Sequence, residues 1–222
     1  LWATLEEDEI TLREACGNTV RNVTASVMAG VDPNEAFDVT PYAQAFFEYF
    51  LRNPICQEMG RKFKVAFSSS SVDDALTFIH DLGFIPRIEK GVRGFRVLLG
   101  GGIGSQPMDA QEVFSFLAAD KIIPYSEAVI RVFDRHGERN KRNKARLKFL
   151  IKEIGLDAFK LLVEQEMKVV NHQVYAIEPK KRTLKEAKFV GAISINTSPA
   201  FEAWKKANTF TQKQTGYVAL GL

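Results

Sequence analysis

The stretch RKFKVAF, residues 61–67, decides how this chain must be read. Side chains alternate along an extended strand, so Phe63, Val65 and Phe67 share one face while Lys62 and Lys64 share the other. The apolar face belongs on a core. The paired ammonium groups need a separate reason. Either they blunt an exposed sheet edge, or they converge on a small anion. The residues by themselves leave both readings open.

Outward from this strand, GFIPRIE and GFRVLLGGG read as two more strands joined by a turn around Lys90-Gly91. Upstream, DVTPYAQAFFEYFLRN reads as a helix, with Thr40 as N-cap and Pro41 at the first helical position. Residues 5–15 read as a helix with acids in its first turn, and CGNTVRN as a loop. Downstream, a serine run over 68–71 leads into an amphipathic helix expected over 72–82. Four helical segments are expected over 109–119, 124–136, 142–154 and 156–168. In the third, Leu147, Leu150, Ile151 and Ile154 recur at helical spacing, and Gly155 ends it. This mixture predicts an α+β class with a three-layer arrangement over residues 1–168. A polar linker is expected over 169–187. From 188 to 222, AKFVGAISI, a short helix at 199–206 and GYVALGL read as the opening of a second unit. The chain starts at Leu1 and stops inside an expected strand, so it reads as a piece of a longer protein.

With 222 residues, 45% of them hydrophobic and 26% charged, the composition is that of a folded domain rather than a disordered chain. A formal charge of +3 demands no polyanionic partner, so any basic function is local. No apolar run approaches the ~20 residues needed to span a bilayer. Cys16 and Cys56 are the only cysteines, too few for a disulfide scaffold or a four-thiolate site, and a reducing, cytoplasmic setting is expected. His80, His136 and His172 have no metal-ligand spacing, so no metal ligands are assigned.

The glycines of GGGIG, residues 100–104, match neither a dinucleotide fingerprint nor a phosphate-binding P-loop. They suit a flexible strand exit, or close backbone approach to a large ligand. Residues 135–152 are rich in Arg and Lys. Arg139, Arg142 and Arg146 at i, i+3 and i+7 form one helical stripe, suited to binding carboxylates or phosphates bidentately. Lys148 and Lys152 read as a solvated helix face. A basic nucleic-acid-binding module using this run is the alternative reading, although it expects interleaved aromatic residues and the run holds only Phe149.

Six segments in order resemble the sirohaem-dependent sulfite and nitrite reductases: LREACGNTVRNV, AGVDPNEAFDVTPYAQ, RKFKVAF, RGFRVLLGGGIG, RNKRNKARLKFLIKEIGLDAFK and the W…N…QKQTGY series at 204–217. The resemblance implies a first-repeat sirohaem/[4Fe–4S] module over 1–168, then the start of a second ferredoxin-like half-domain. It implies an enzyme in which bound sulfite or nitrite is reduced with six electrons, supplied by ferredoxin or a flavoprotein reductase. Carried over by position, Arg21, Lys62 and Lys64 match the substrate-site cations. Arg61, Arg142, Lys144 and Arg146 are expected to face sirohaem carboxylates, with Asn22 and the Gly100, Gly101 and Gly102 backbone nearby. Lys64 at the second lysine position leans towards sulfite. The family's [4Fe–4S] cluster needs four cysteines in paired motifs that this chain lacks, so its ligands are expected in the remaining half of the polypeptide, and the isolated chain is expected to be inactive.

Overall fold

A computed structural model describes residues 16–104, 106–178 and 198–221. Five strands form one mixed sheet in the order β1–β2–β3–β4–β5: β1 Val20–Ala25, β2 Phe63–Phe67, β3 Leu82–Glu89, β4 Val92–Leu99 and β5 Gln111–Ala118. The first three strands run parallel; β3–β4 and β4–β5 are antiparallel. Four helices accompany it: α1 Thr40–Phe50, α2 Ile122–His136, α3 Leu147–Ile154 and α4 Leu156–Met167. Helix α5, Pro199–Asn208, leads into a hairpin of β6 Thr209–Thr211 and β7 Val218–Leu220. This is an α+β fold, as the pattern of segments predicts.

Alternation in RKFKVAF sets the core. Phe63, Val65 and Phe67 are fully buried, and Phe67 stacks on Phe84 of β3 at 4.7 Å between ring centroids. Phe46 of α1 meets both rings from above, and Phe133 of α2 reaches Phe63. Helix α2 is buried on nearly every side, between the sheet and α4. The opposite face of the sheet carries a smaller apolar group of Ile85, Leu98, Ala110 and Phe78, and on it Lys62 and Lys64 project.

Strand β2 lies inside the sheet, paired on both sides, so the edge-protection reading of its lysines fails. The β3–β4 hairpin turns at Lys90 (φ 49°) and Gly91 (φ 77°), the two left-handed positions of a type I′ turn. Helix α1 starts one residue earlier than expected: Val39 is the N-cap, and Asp38 accepts from the Thr40 amide at 2.9 Å.

Two expected helices are absent. Residues 72–82 form turns with one short 3-10 segment, Thr77–Ile79. Asp73 accepts from the Thr77 amide, and Asp74 is taken by the hydroxyls of Ser26, Ser68 and Ser69, so side chains satisfy the groups a helix would use. Leu76 is left-handed at φ 54°. Residues 111–118 form β5, because pairing with β4 outweighs local preference. There the Phe116 ring lies over Gly94, where a Cβ would come within 2.4 Å of it.

The third expected helix shortens. Arg142–Lys144 form a 3-10 turn, and α3 begins only at Leu147 with its apolar stripe inward. The short helix expected at 199–206 is α5, capped by Ser198. The hairpin region docks on the 30–35 loop through Lys213 N to Val31 O, Gln214 to Gly30 O and a Lys213–Glu35 ion pair. The helix expected at 5–15 and the strand AKFVGAISI lie outside the described residues.

Candidate functional site

The site forms where the entrances of the parallel strands β1, β2 and β3 and the exit of β4 meet the turn before α3. Strand β1 approaches β2 with a bulge: Val20 pairs with Phe63 and Val23 with Val65, so three steps on β1 match two on β2. Asn22, left-handed at φ 55°, makes that bulge and points to solvent; Arg21 lies beside it. Arg21 donates to the Cys16 sulfur at 3.4 Å, while its Nε is buried and bonds to no protein group. Arg61 Nε is likewise buried and unbonded.

The electrostatics identify which cations share the space. Burial, then the charges of Arg21, Lys64, Arg146 and Arg61, holds the Lys62 ammonium below the usual lysine range. Burial, then Arg142, Arg146 and Arg21, depresses the Arg61 guanidinium. Like charges so placed disfavour each other's charged forms. The fold therefore gathers Arg21, Arg61, Lys62, Lys64, Arg142 and Arg146. Lys144 is exposed in the 3-10 turn and is not tied to this group among the described residues.

Sequence reading overlooked the group's counter-charge. Asp81 is fully buried. Its carboxylate accepts from Arg146 Nε at 3.1 Å and Nη2 at 2.8 Å, and from the Lys64 amide at 2.9 Å. Its backbone carbonyl accepts from Gly100 N at 2.9 Å. One residue thus joins β2, the β4 exit and the turn before α3. Burial pushes its carboxyl up, and Arg146 opposes that. Among the described residues no other carboxylate pairs with the six cations. The helix expected over 72–82 assigns Asp81 no role; its position immediately before β3 is the available signal.

The Arg139/Arg142/Arg146 stripe does not exist as a helical face. Arg139 bonds to Asp134 and the Glu58 carbonyl, Arg142 sits in the 3-10 turn, and Arg146 stands at the N-cap position of α3 with its side chain on Asp81. Arg135 pairs with Glu166. The 135–152 run is therefore not one helical face: Arg135, Arg139, Arg146 and Lys148 bond to protein groups, while Lys141, Arg142, Lys144 and Lys152 are exposed. Lys148, expected to be solvated, is 3% exposed and bonds three backbone carbonyls. Periodicity gave no sign of this, since Lys148 adjoins the apolar stripe without belonging to it. Lys152 is exposed as expected.

Protein packing also accounts for the glycines. A Cβ on Gly101 would lie 2.2 Å from the Phe78 carbonyl oxygen, and one on Gly100, at φ +87°, would lie 2.7 Å from Ile151. Only Gly102 borders the cations, 3.2 Å from Arg146 Nη2 by the same measure.

A group of six cations with one internal carboxylate and two buried, unbonded guanidinium nitrogens suits a small oxyanion or a ligand carrying several carboxylates. It is the wrong chemistry for a thiolate-held cluster. Cys16 is exposed, and Cys56 is buried with its thiol donating to the Phe50 and Asn53 carbonyls. Two separated thiols do not fit a [4Fe–4S] cluster, which takes four.

The fold agrees with the comparisons to known proteins. Residues 16–170 match the family model described as the nitrite and sulphite reductase 4Fe-4S domain, and the chain belongs to that family. Among its relatives, sulfite reductase [ferredoxin] 1 of Mycolicibacterium paratuberculosis is 34% identical over 168 residues, 75% of this chain and 30% of the relative. The chloroplastic ferredoxin–nitrite reductase of Zea mays is 31% identical over 155 residues, 68% of this chain and 27% of the relative. The solved structure of the Mycobacterium tuberculosis NirA protein superposes with a TM-score of 0.68 at 30% identity, over 83% of this chain and 34% of that one. The crystal structure of dissimilatory sulfite reductase I, at 13% identity and TM-score 0.55, shares the fold. The chain thus spans about a third or less of the full-length relatives it matches. No described helix is long and apolar enough to cross a membrane.

Proposed function

We propose that this chain forms the oxyanion-facing part of a sirohaem-dependent reductase that converts sulfite to sulfide or nitrite to ammonia. The observation that carries this reading is the cationic group gathered around Asp81, with Arg21 Nε and Arg61 Nε buried and bonded to no protein atom. Sirohaem, when bound, supplies the iron that binds the oxyanion and passes electrons to it. Arg61, Arg142 and Arg146 would hold its carboxylates, with Lys144, Asn22 and the Gly102 backbone at the margin.

Arg21, Lys62 and Lys64 face the oxyanion in this reading. Fixed cations stabilise the negative charge that develops as electrons arrive, without reorganising water. Lys62, with its ammonium already depressed, is the more ready proton donor, and the reaction consumes protons. Two lysines rather than one favour sulfite, the more highly charged of the two anions. The donor is ferredoxin, named in the relatives, or a flavoprotein reductase. The cluster's cysteines come from the remaining half of the same polypeptide, so the isolated chain turns over neither anion.

The test is reconstitution. The chain is co-expressed with sirohaem synthesis, and retained sirohaem is read by its visible absorption. Retention that falls on replacing Arg61 and Arg142 with Met is expected. A chain that takes up no sirohaem, yet shifts RNA in a salt-dependent manner, would overturn the proposal in favour of a nucleic-acid module.

A further inference from the structure

Lys148 is the buried cation that this reading leaves without a task. The residue is 3% exposed, and its ammonium donates to the carbonyls of Gly102 at 3.2 Å, Ile103 at 3.3 Å and Gln106 at 2.5 Å. All three of its protons are thereby used, and no carboxylate bonds it. Gly102 and Met108 exchange both backbone hydrogen bonds, at 2.9 and 3.0 Å, and so close the neck of the loop these carbonyls belong to. The loop in turn lies against the cationic group: a Cβ on Gly102 would sit 3.2 Å from Arg146 Nη2 and 3.3 Å from Lys148 Cδ. Burying an ammonium is costly unless every donor is satisfied. A methionine here would fill the same space without that cost, so the charge itself has a role.

We propose that Lys148 is a positioning residue for the anion-binding cleft: it gathers the carbonyls of Gly102, Ile103 and Gln106 and sets Gly102 against Arg146, without touching the bound anion. The inference rests on the reading of the cleft given under Proposed function. The charged groups facing Lys148 are Arg146, at the start of its own helix, and Asp81, which precedes β3; the loop contributes carbonyls only, among the described residues. Burial, then Arg146, holds the ammonium below the usual lysine range, and Asp81 opposes this. The brace should therefore weaken at alkaline pH before an exposed lysine would titrate.

The experiment uses the 222-residue chain with Lys148→Met, Lys148→Arg, Gly102→Ala and the exposed-face control Lys152→Met. Protection factors of the Gly102 and Met108 amides are followed by hydrogen exchange across pH. Inorganic sulfite is titrated against arginine side-chain resonances. Lys148→Met is expected to lose loop protection and to weaken sulfite about tenfold; Lys148→Arg keeps protection at alkaline pH, where the wild type loses it; Lys152→Met changes neither. Gly102→Ala, which pushes on the loop with Lys148 intact, weakens sulfite as well, so the case stands even if Lys148→Met does not fold. Unchanged protection in Lys148→Met overturns the inference. So does lost protection with undiminished sulfite affinity, which leaves the cleft reading standing and makes Lys148 a local brace only. A wild-type chain that binds no sulfite overturns both.

Discussion

Removing the Asp81 carboxylate should be the most damaging single change near the cleft. The group is fully buried, bonded twice by an Arg146 side chain that is 14% exposed and once by the Lys64 amide. Deleting one member of such a pair leaves an uncompensated buried charge and typically costs 3–5 kcal/mol. Here the loss is aggravated, because Arg146 would then face Arg61 and Lys62 with no anion between them. Asp81→Ala is thus expected to cost about 4 kcal/mol, and at ~2–4 °C per kcal/mol for a chain of this size the unfolding midpoint should drop by roughly 8–16 °C. Arg146→Met, which strands the carboxylate, should cost a similar amount. In the double variant both charges are gone, so its cost should fall short of the sum by about 1–3 kcal/mol. Urea and thermal unfolding followed by circular dichroism would measure all three. Strictly additive losses, or an Asp81→Ala midpoint within 2 °C of wild type, would refute the reasoning.

The Lys62 ammonium binds its proton less tightly folded than unfolded, so between the depressed value and the ordinary 10.5 the unfolded chain holds more protons and stability rises with pH. Lys62→Met should abolish this rise, and at neutral pH should hold or raise the urea midpoint while weakening sulfite binding. Gly101→Ala should cost about 3 kcal/mol in urea unfolding, because its Cβ would meet the backbone carbonyls of Phe78 at 2.2 Å and His80 at 2.7 Å. Millimolar sulfate should raise the thermal midpoint of the wild type more than that of Arg61→Met, since an anion bound only by the folded state stabilises it by mass action.

Alternation made β2, β3 and β4 legible, and the type I′ hairpin announced itself through Lys90-Gly91, whereas β1 begins inside CGNTVRN, a stretch that reads as a loop. The cation group was legible as a group only through the family resemblance: nothing in the spacing of Arg21, Lys62 and Arg142 says that a bulge at Asn22 and a turn at 142–144 bring them together. The failures share a cause. Residues 72–82 carry helical periodicity, yet Asp73 and Asp74 spend their carboxylates on nearby backbone and hydroxyl donors, and Asp81 is drawn under the sheet. Residues 111–118 follow their neighbour β4 rather than their own preference. Lys148 was misread because burial of a lysine is decided by three carbonyls from 42–46 residues away, which no local pattern encodes.

The alternation of β2 also acts as a proofreading device during folding. Its two parallel neighbours join segments distant along the chain, so its register is fixed late and by little local information. A slip of one residue would drive Lys64 among Phe46, Phe84 and Phe133 and turn Phe63 and Phe67 towards water. The same lysines that would greet an anion in the finished protein therefore penalise every odd misalignment on the way there. Neutralising them to relieve the crowding would be expected to yield a protein that is steadier once folded but more often misassembled.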